Sequence, residues 1–200
     1  MLDHKFFFGL LASAIGLASA YPYLADVIRR QTKPHLFTWF VWGILTGIAF
    51  FAQVTRHAGA GSWITGITAV YCFVVVGFAI PYGEKDIRPM DWLCLGGAAA
   101  GLLLWAFTSD PLLAVVLVTI IDLVAFLPTL RKAYYKPQEE TALFFFLSIW
   151  KFALGLVAVR SYSLTTCLFP AAVTVFNALF VTTLLVRRRT LARRTASGPQ

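Results

Sequence analysis

Charged side chains are scarce in this chain, 13% of 200 residues, where a soluble domain carries about 25%. With 59% of its residues apolar, it has too little polar surface to solvate an ordinary globule, which excludes a soluble fold. Cysteine is scarce too. Cys72, Cys94 and Cys167 are an odd number, within or at the ends of apolar runs, which argues against a disulfide framework. His4, His35 and His57 sit at separate ends or loops, so no metal-ligand spacing is visible. No glycine-rich phosphate loop and no nucleophile–base constellation occurs, so neither ATP hydrolysis nor any other enzymatic reaction is expected, and no cofactor is called for.

Long apolar runs are what the chain has instead. Seven stand out, at 6–28, 36–54, 62–82, 92–108, 112–130, 141–159 and 163–186. Each is roughly 17–24 residues, the length an α-helix needs to cross a hydrocarbon core of about 30 Å. Removing them leaves no sizeable soluble domain. The lipid bilayer is therefore the first expected partner.

The net charge of +8 is sorted between the loops rather than gathered into a nucleic-acid patch. One side receives Lys5, Arg56 and Arg160. The other receives Arg29, Arg30, Lys33, Lys85, Arg88, Arg131, Lys132, Lys136, Arg187, Arg188, Arg189, Arg193 and Arg194. The positive-inside rule puts this second side in the cytoplasm, with the C-terminus there and the N-terminus outside. Lys5, an apolar run and Ala18-Ser19-Ala20 also fit a cleavable signal peptide. The run continues to Ile28, however, so it reads as the first spanning helix.

A proline-anchored pattern occurs twice. Pro22 in YPYL answers Pro128 in LPTL, and Trp42-x-x-x-x-Gly47 answers Trp150-x-x-x-x-Gly155, with a two-residue difference in the intervening loop. Each copy holds three spans. Three is odd, so a second copy placed directly after the first would insert upside down, and the span at 92–108 restores its orientation. The expected fold is an all-α membrane protein of seven transmembrane helices. Two parallel triple-helix bundles, 6–82 and 112–186, are joined by a linker helix at 92–108, and a disordered basic cytoplasmic tail follows at 187–200. The axis relating the halves should lie along the membrane normal.

A 3+1+3 plan with a proline late in the first helix of each half and a basic loop after it resembles the PQ-loop/SWEET superfamily. It is also similar to the PnuC vitamin transporters. The family's Pro-Gln reads Pro22-Tyr23 and Pro128-Thr129 here. The resemblance implies a carrier of a small polar solute, with its site between the bundles, prolines as hinges and an asparagine at the position of Asn177.

Two charges interrupt the apolar helices. Asp122 lies nine residues from Arg131 and Lys151 eleven from Glu140, which places them roughly 14 and 17 Å into the membrane. A charge there costs about 2.5–3.5 kcal/mol on insertion scales, so such groups pair or line a wet cavity. Asp122 aligns with Gly16 and Lys151 with Gly43, so both charges are absent from the first half. A static ion pair and a pair that binds substrate or exchanges a proton both fit. Trp39, Trp42 and Trp150 suit an aromatic wall for a sugar, nucleoside or vitamin ring, or interfacial packing. Tyr71 and Asn177 join them as candidates, with an interhelical hydrogen bond as the alternative for Asn177. Pro22 and Pro128 serve as hinges or as static kinks. Gly97-Ala-Ala-Ala-Gly101 suits close packing between helices or between copies in a homo-oligomer. The expected function is a carrier working by alternating access without ATP; the alternative is a non-transporting membrane receptor or assembly protein on the same scaffold.

Overall fold

The computed structural model of the chain describes residues 3–84, 89–108 and 110–196, and these are helical with no strand among them. The helices are α1 His4–Ile28, α2 Leu36–Thr55, α3 Trp63–Tyr82, α4 Pro89–Thr108, α5 Pro111–Tyr135, α6 Ala142–Val157 and α7 Leu164–Ala196. Each of the seven apolar runs becomes one helix. The starts of α1 and α5 are marked chemically. The Asp3 carboxylate accepts from the Lys5 amide at 3.2 Å, and that of Asp110 accepts from the Leu112 amide at 2.9 Å. Each thereby satisfies a backbone donor that the first turn leaves free. Single-turn 3-10 segments, Gly59–Ser62 and Pro137–Glu139, precede α3 and α6.

Five segments of the described residues are long and apolar enough to cross a membrane: α1, α2, Gly59–Tyr82, α5 and Leu164–Arg193. Helix α6 has 16 residues and reaches about 24 Å. Helix α7 departs most from expectation. The tail at 187–200 was expected to be disordered, but the helix runs on to Ala196. Its basic residues find partners on the way. Arg187 lies 3.8 Å from the Tyr134 ring centroid and donates to the Tyr134 carbonyl at 3.0 Å. Arg188 donates to the carbonyls of Pro137 at 3.0 Å and Glu140 at 2.6 Å. Lys85, Arg88 and residues 197–200 lie outside the described residues, as do the side chains of Pro128 and Cys94.

Packing closes six helices into a ring in the order α1, α3, α2, α5, α7, α6 and back to α1, while α4 lies against α5 and α2. The inward faces show a regularity that the letters of the sequence hide. The buried residues of α1 are Gly9, Ala12, Ser13, Gly16, Ser19, Tyr23 and Val27. Moving 106 positions along gives Val115, Val118, Thr119, Asp122, Ala125, Thr129 and Ala133, all buried on α5. The local bonding repeats as well. Ser13 donates to the Gly9 carbonyl at 2.8 Å, and Thr119 to that of Val115 at 2.7 Å.

The same offset relates α2 to α6: Thr38, Trp39, Trp42, Leu45, Thr46 and Ala49 correspond to Phe144, Phe145, Ser148, Lys151, Phe152 and Gly155, all buried. This corrects the alignment of Trp42 with Trp150. Burial sets Trp150 opposite Ile44 and Trp42 opposite Ser148, with no loop-length difference. Two tryptophans in register misled because side chains two positions apart on a helix point about 200° apart.

Candidate functional site

At the middle of the ring is a chamber of about 50 Å³ lined by residues of α2, α3, α5, α6 and α7, room for a few waters. Aromatic rings make most of its wall. Trp39 and Trp42 stand one turn apart on α2 with ring centroids 5.2 Å apart, and Trp42 meets Phe126 at 5.4 Å. Phe144 closes on Trp39 at 5.5 Å. Behind them Tyr23 packs on Trp39 and Phe144, and its hydroxyl accepts from the Trp39 indole at 3.1 Å. Trp39 therefore has its polar group satisfied. Trp42 does not: its Nε1 is buried without a hydrogen-bond partner among the described residues.

The polar groups are few and come from facing helices. Asp122 on α5 is 8% exposed and Lys151 on α6 is 2% exposed, and both line the chamber. Among the described residues, neither charge has a hydrogen bond or an ion pair within 4.0 Å. The lysine stem runs beside Gly16 of α1. Its ammonium sits 5.2 Å from the Phe144 ring centroid and 5.3 Å from that of Phe152, a geometry in which ring faces partly replace water around a cation. A Cβ at Gly16 would make only ordinary contact with the lysine Cδ, at 3.6 Å; what it would run into is the Ile64 side chain.

Asn177 also lines the chamber, and its amide donates to the Val173 carbonyl one turn back at 2.7 Å. Thr46 and Ser148 likewise spend their hydroxyl protons on their own helices, at 2.6 and 2.9 Å. Thr68 has no partner. Five of the residues singled out from sequence therefore meet here: Trp39, Trp42, Asp122, Lys151 and Asn177. Tyr71 packs edge-on against Trp39 at 5.7 Å, behind the wall. Trp150 is not brought to the chamber; it is 53% exposed on the outer face of α6. Sequence reasoning passed over Thr46, Thr68 and Ser148 because hydroxyls are common in spanning helices. It read Tyr23 only as the residue after the repeated proline, where the resembling family has glutamine, and gave it no place in the site. Among the described residues, no group of three or more His, Cys, Asp or Glu side chains is placed to hold a metal ion.

Polar latches lie at both ends of the ring. At the basic end Thr141 donates to Asp26 at 2.7 Å and meets the Thr32 hydroxyl at 2.6 Å. Lys132 donates to the Lys33 carbonyl at 2.6 Å and to the Glu140 carboxylate at 2.8 Å. Burial pushes the Glu140 carboxyl above its usual range, and Lys132 offsets part of that rise. At the opposite end Lys5 donates to the Val159 carbonyl at 2.7 Å, and Arg160 pairs with Asp3 at 3.2 Å. The chain comes close there: a Cβ on Gly61 would lie 2.8 Å from the Val159 backbone. With this geometry in view, comparison with known proteins finds no matching family model, no matching curated protein and no matching solved structure.

Proposed function

We propose that the chain is a multi-pass membrane carrier that moves a small polar solute through the central chamber by alternating access, without ATP. The observation that carries this reading is the chamber itself. Two opposite charges and an indole donor face one small aromatic space with no partners among the described residues. A bundle whose centre served packing alone would gain by filling such a space with apolar side chains, since an uncompensated buried charge is costly.

The arrangement proposed is 3+1+3, with α1–α3 and α5–α7 as parallel bundles and α4 as linker. Its support is the packing: replacing α1, α2 and α3 by α5, α6 and α7 carries the ring of neighbours onto itself. The 106-residue recurrence of buried positions supports it too. In this reading the latches at both ends hold an occluded conformation, and opening either would expose the chamber to one side. Pro22 lies inside α1 and Pro128 within α5; as hinges, each would let its helix bend where a carbonyl lacks its amide donor. The charge split puts the Arg187–Arg189 end in the cytoplasm and the Asp3 end outside. A resemblance to PQ-loop/SWEET carriers agrees with this plan.

The narrowness of the chamber favours the second reading, a non-transporting receptor or assembly protein on the same scaffold. Proteoliposome uptake decides between them. The carrier reading expects time-dependent accumulation of at least one of a labelled sugar, nucleoside, vitamin or amino acid, lost in Asp122→Asn. Absence of uptake across all four classes in well-folded protein would overturn it.

A further inference from the structure

Asp122 and Lys151 face the same chamber, yet they do not satisfy each other: no ion pair joins them, and no hydrogen bond from the described residues reaches either. Their surroundings do not make up the difference. The hydroxyls of Thr46 and Ser148 and the amide of Asn177 already donate to their own helices. The rest of the wall is mostly phenyl and indole rings, with the Cys72 thiol and the Thr68 hydroxyl among them; a phenyl ring offers a carboxylate no hydrogen bond. What remains is a carboxylate acceptor, a cationic donor, and the Trp42 indole and Thr68 hydroxyl, neither of which has a partner among the described residues.

We propose that the chamber binds a small zwitterion, with one ammonium and one carboxylate on a short carbon skeleton. The inference rests on the carrier reading for its biological sense and on the two unpaired charges for its chemistry. The ligand ammonium pairs with Asp122. Its carboxylate pairs with Lys151 and accepts from the Trp42 indole, and its carbon atoms lie against Phe126 and Phe144. A neutral sugar would engage the indole and leave both charges exposed to a low-dielectric space. A simple cation or anion would compensate one charge and strand the other. A zwitterion compensates both and leaves the occupied chamber neutral. The volume of about 50 Å³ limits the ligand to a few heavy atoms in the occluded form, a size at which two charged ends are most of the molecule.

The test uses the full-length chain purified in detergent and reconstituted in vesicles. Binding is read by thermal shift and calorimetry with L-alanine, β-alanine, ethylammonium, propionate, glucose and uridine. An amino acid should raise the unfolding temperature, while ethylammonium and propionate, alone or mixed, bind at least about thirtyfold more weakly, because each leaves a charged contact unmade. Asp122→Asn and Lys151→Met should each weaken the amino acid by a similar factor. The exchanged variant D122K/K151D should recover binding, since a zwitterion can turn round. If that variant fails to fold, the fragment comparison on the unaltered protein still decides. Tighter binding of glucose or uridine than of either amino acid overturns the zwitterion and leaves the carrier standing. Amino-acid binding without vesicle uptake overturns the carrier and leaves the zwitterion standing. No binding by any probe overturns the zwitterion.

Discussion

Lys151 reaches the chamber past a glycine and ends between two phenyl rings, and Asp122 faces the same space without a donor. In the carrier reading these side chains are kept for what they do rather than for how they pack, and functional sites commonly trade stability for activity. Asp122→Asn and Lys151→Met should therefore each raise the unfolding temperature in detergent by about 2–6 °C while removing uptake. A fall in unfolding temperature would mean that the two charges hold the bundle together. Both residues were legible in the sequence, because a charge inside an apolar run stands out against its neighbours. That they would not touch was not legible: depth along a helix can be counted, but rotation about it and the rotamer of a long side chain cannot. Trp150 shows the same limit. Its position in the run was visible and its direction was not, and it faces outward beside a lysine that faces in.

At the scale of elements, most helix boundaries followed from the apolar runs to within a few residues, since hydrophobic length is a local signal. The course of α7 past Val186 was missed. A run of arginines reads as a solvated tail, yet Arg187 and Arg188 find carbonyls and a ring on the end of α5 and the turn after it. Those partners are about 50 residues away in sequence. The latch beneath them contains the buried Lys132–Glu140 pair, whose side chains are 8% and 4% exposed. Burial raises the Glu140 carboxyl above the ordinary value of 4.5. The folded state then holds the proton more tightly than the unfolded chain does. Its contribution to stability is therefore present at low pH and is lost as pH rises from about 4.5 through the folded value. The difference in unfolding temperature between the unaltered protein and Glu140→Gln, followed upward from pH 4, should move against the unaltered protein across that window and then level off. A difference that moves the other way would mean that the Lys132 ion pair outweighs burial.

For the whole molecule, the two latches make a specific demand on motion, because opening at the basic end must separate Thr32 from Thr141. A Thr32→Cys/Thr141→Cys variant, oxidised to a disulfide, should lose at least about tenfold in uptake and regain it with a thiol reductant, while its ligand-induced thermal shift persists in the locked state. Undiminished uptake by the cross-linked protein would place the moving parts elsewhere. Helix α6 has a further consequence, set outside the protein. With 16 residues against the 25 of α1 and α5, its apolar length falls about 6 Å short of a typical hydrocarbon core. Leu143, Phe146, Trp150 and Val157 are exposed along it. In the seven-span reading proposed above, the acyl chains beside that flank would have to compress or the helix to ride off-centre, and either response costs a fraction of a kcal/mol for each ångström of mismatch. Bilayer thickness would then act on one side of the molecule only. Turnover should rise as vesicle lipids are shortened from 18 to about 14 carbons and fall as they are lengthened; a rate indifferent to chain length would show that α6 is screened from lipid by another surface.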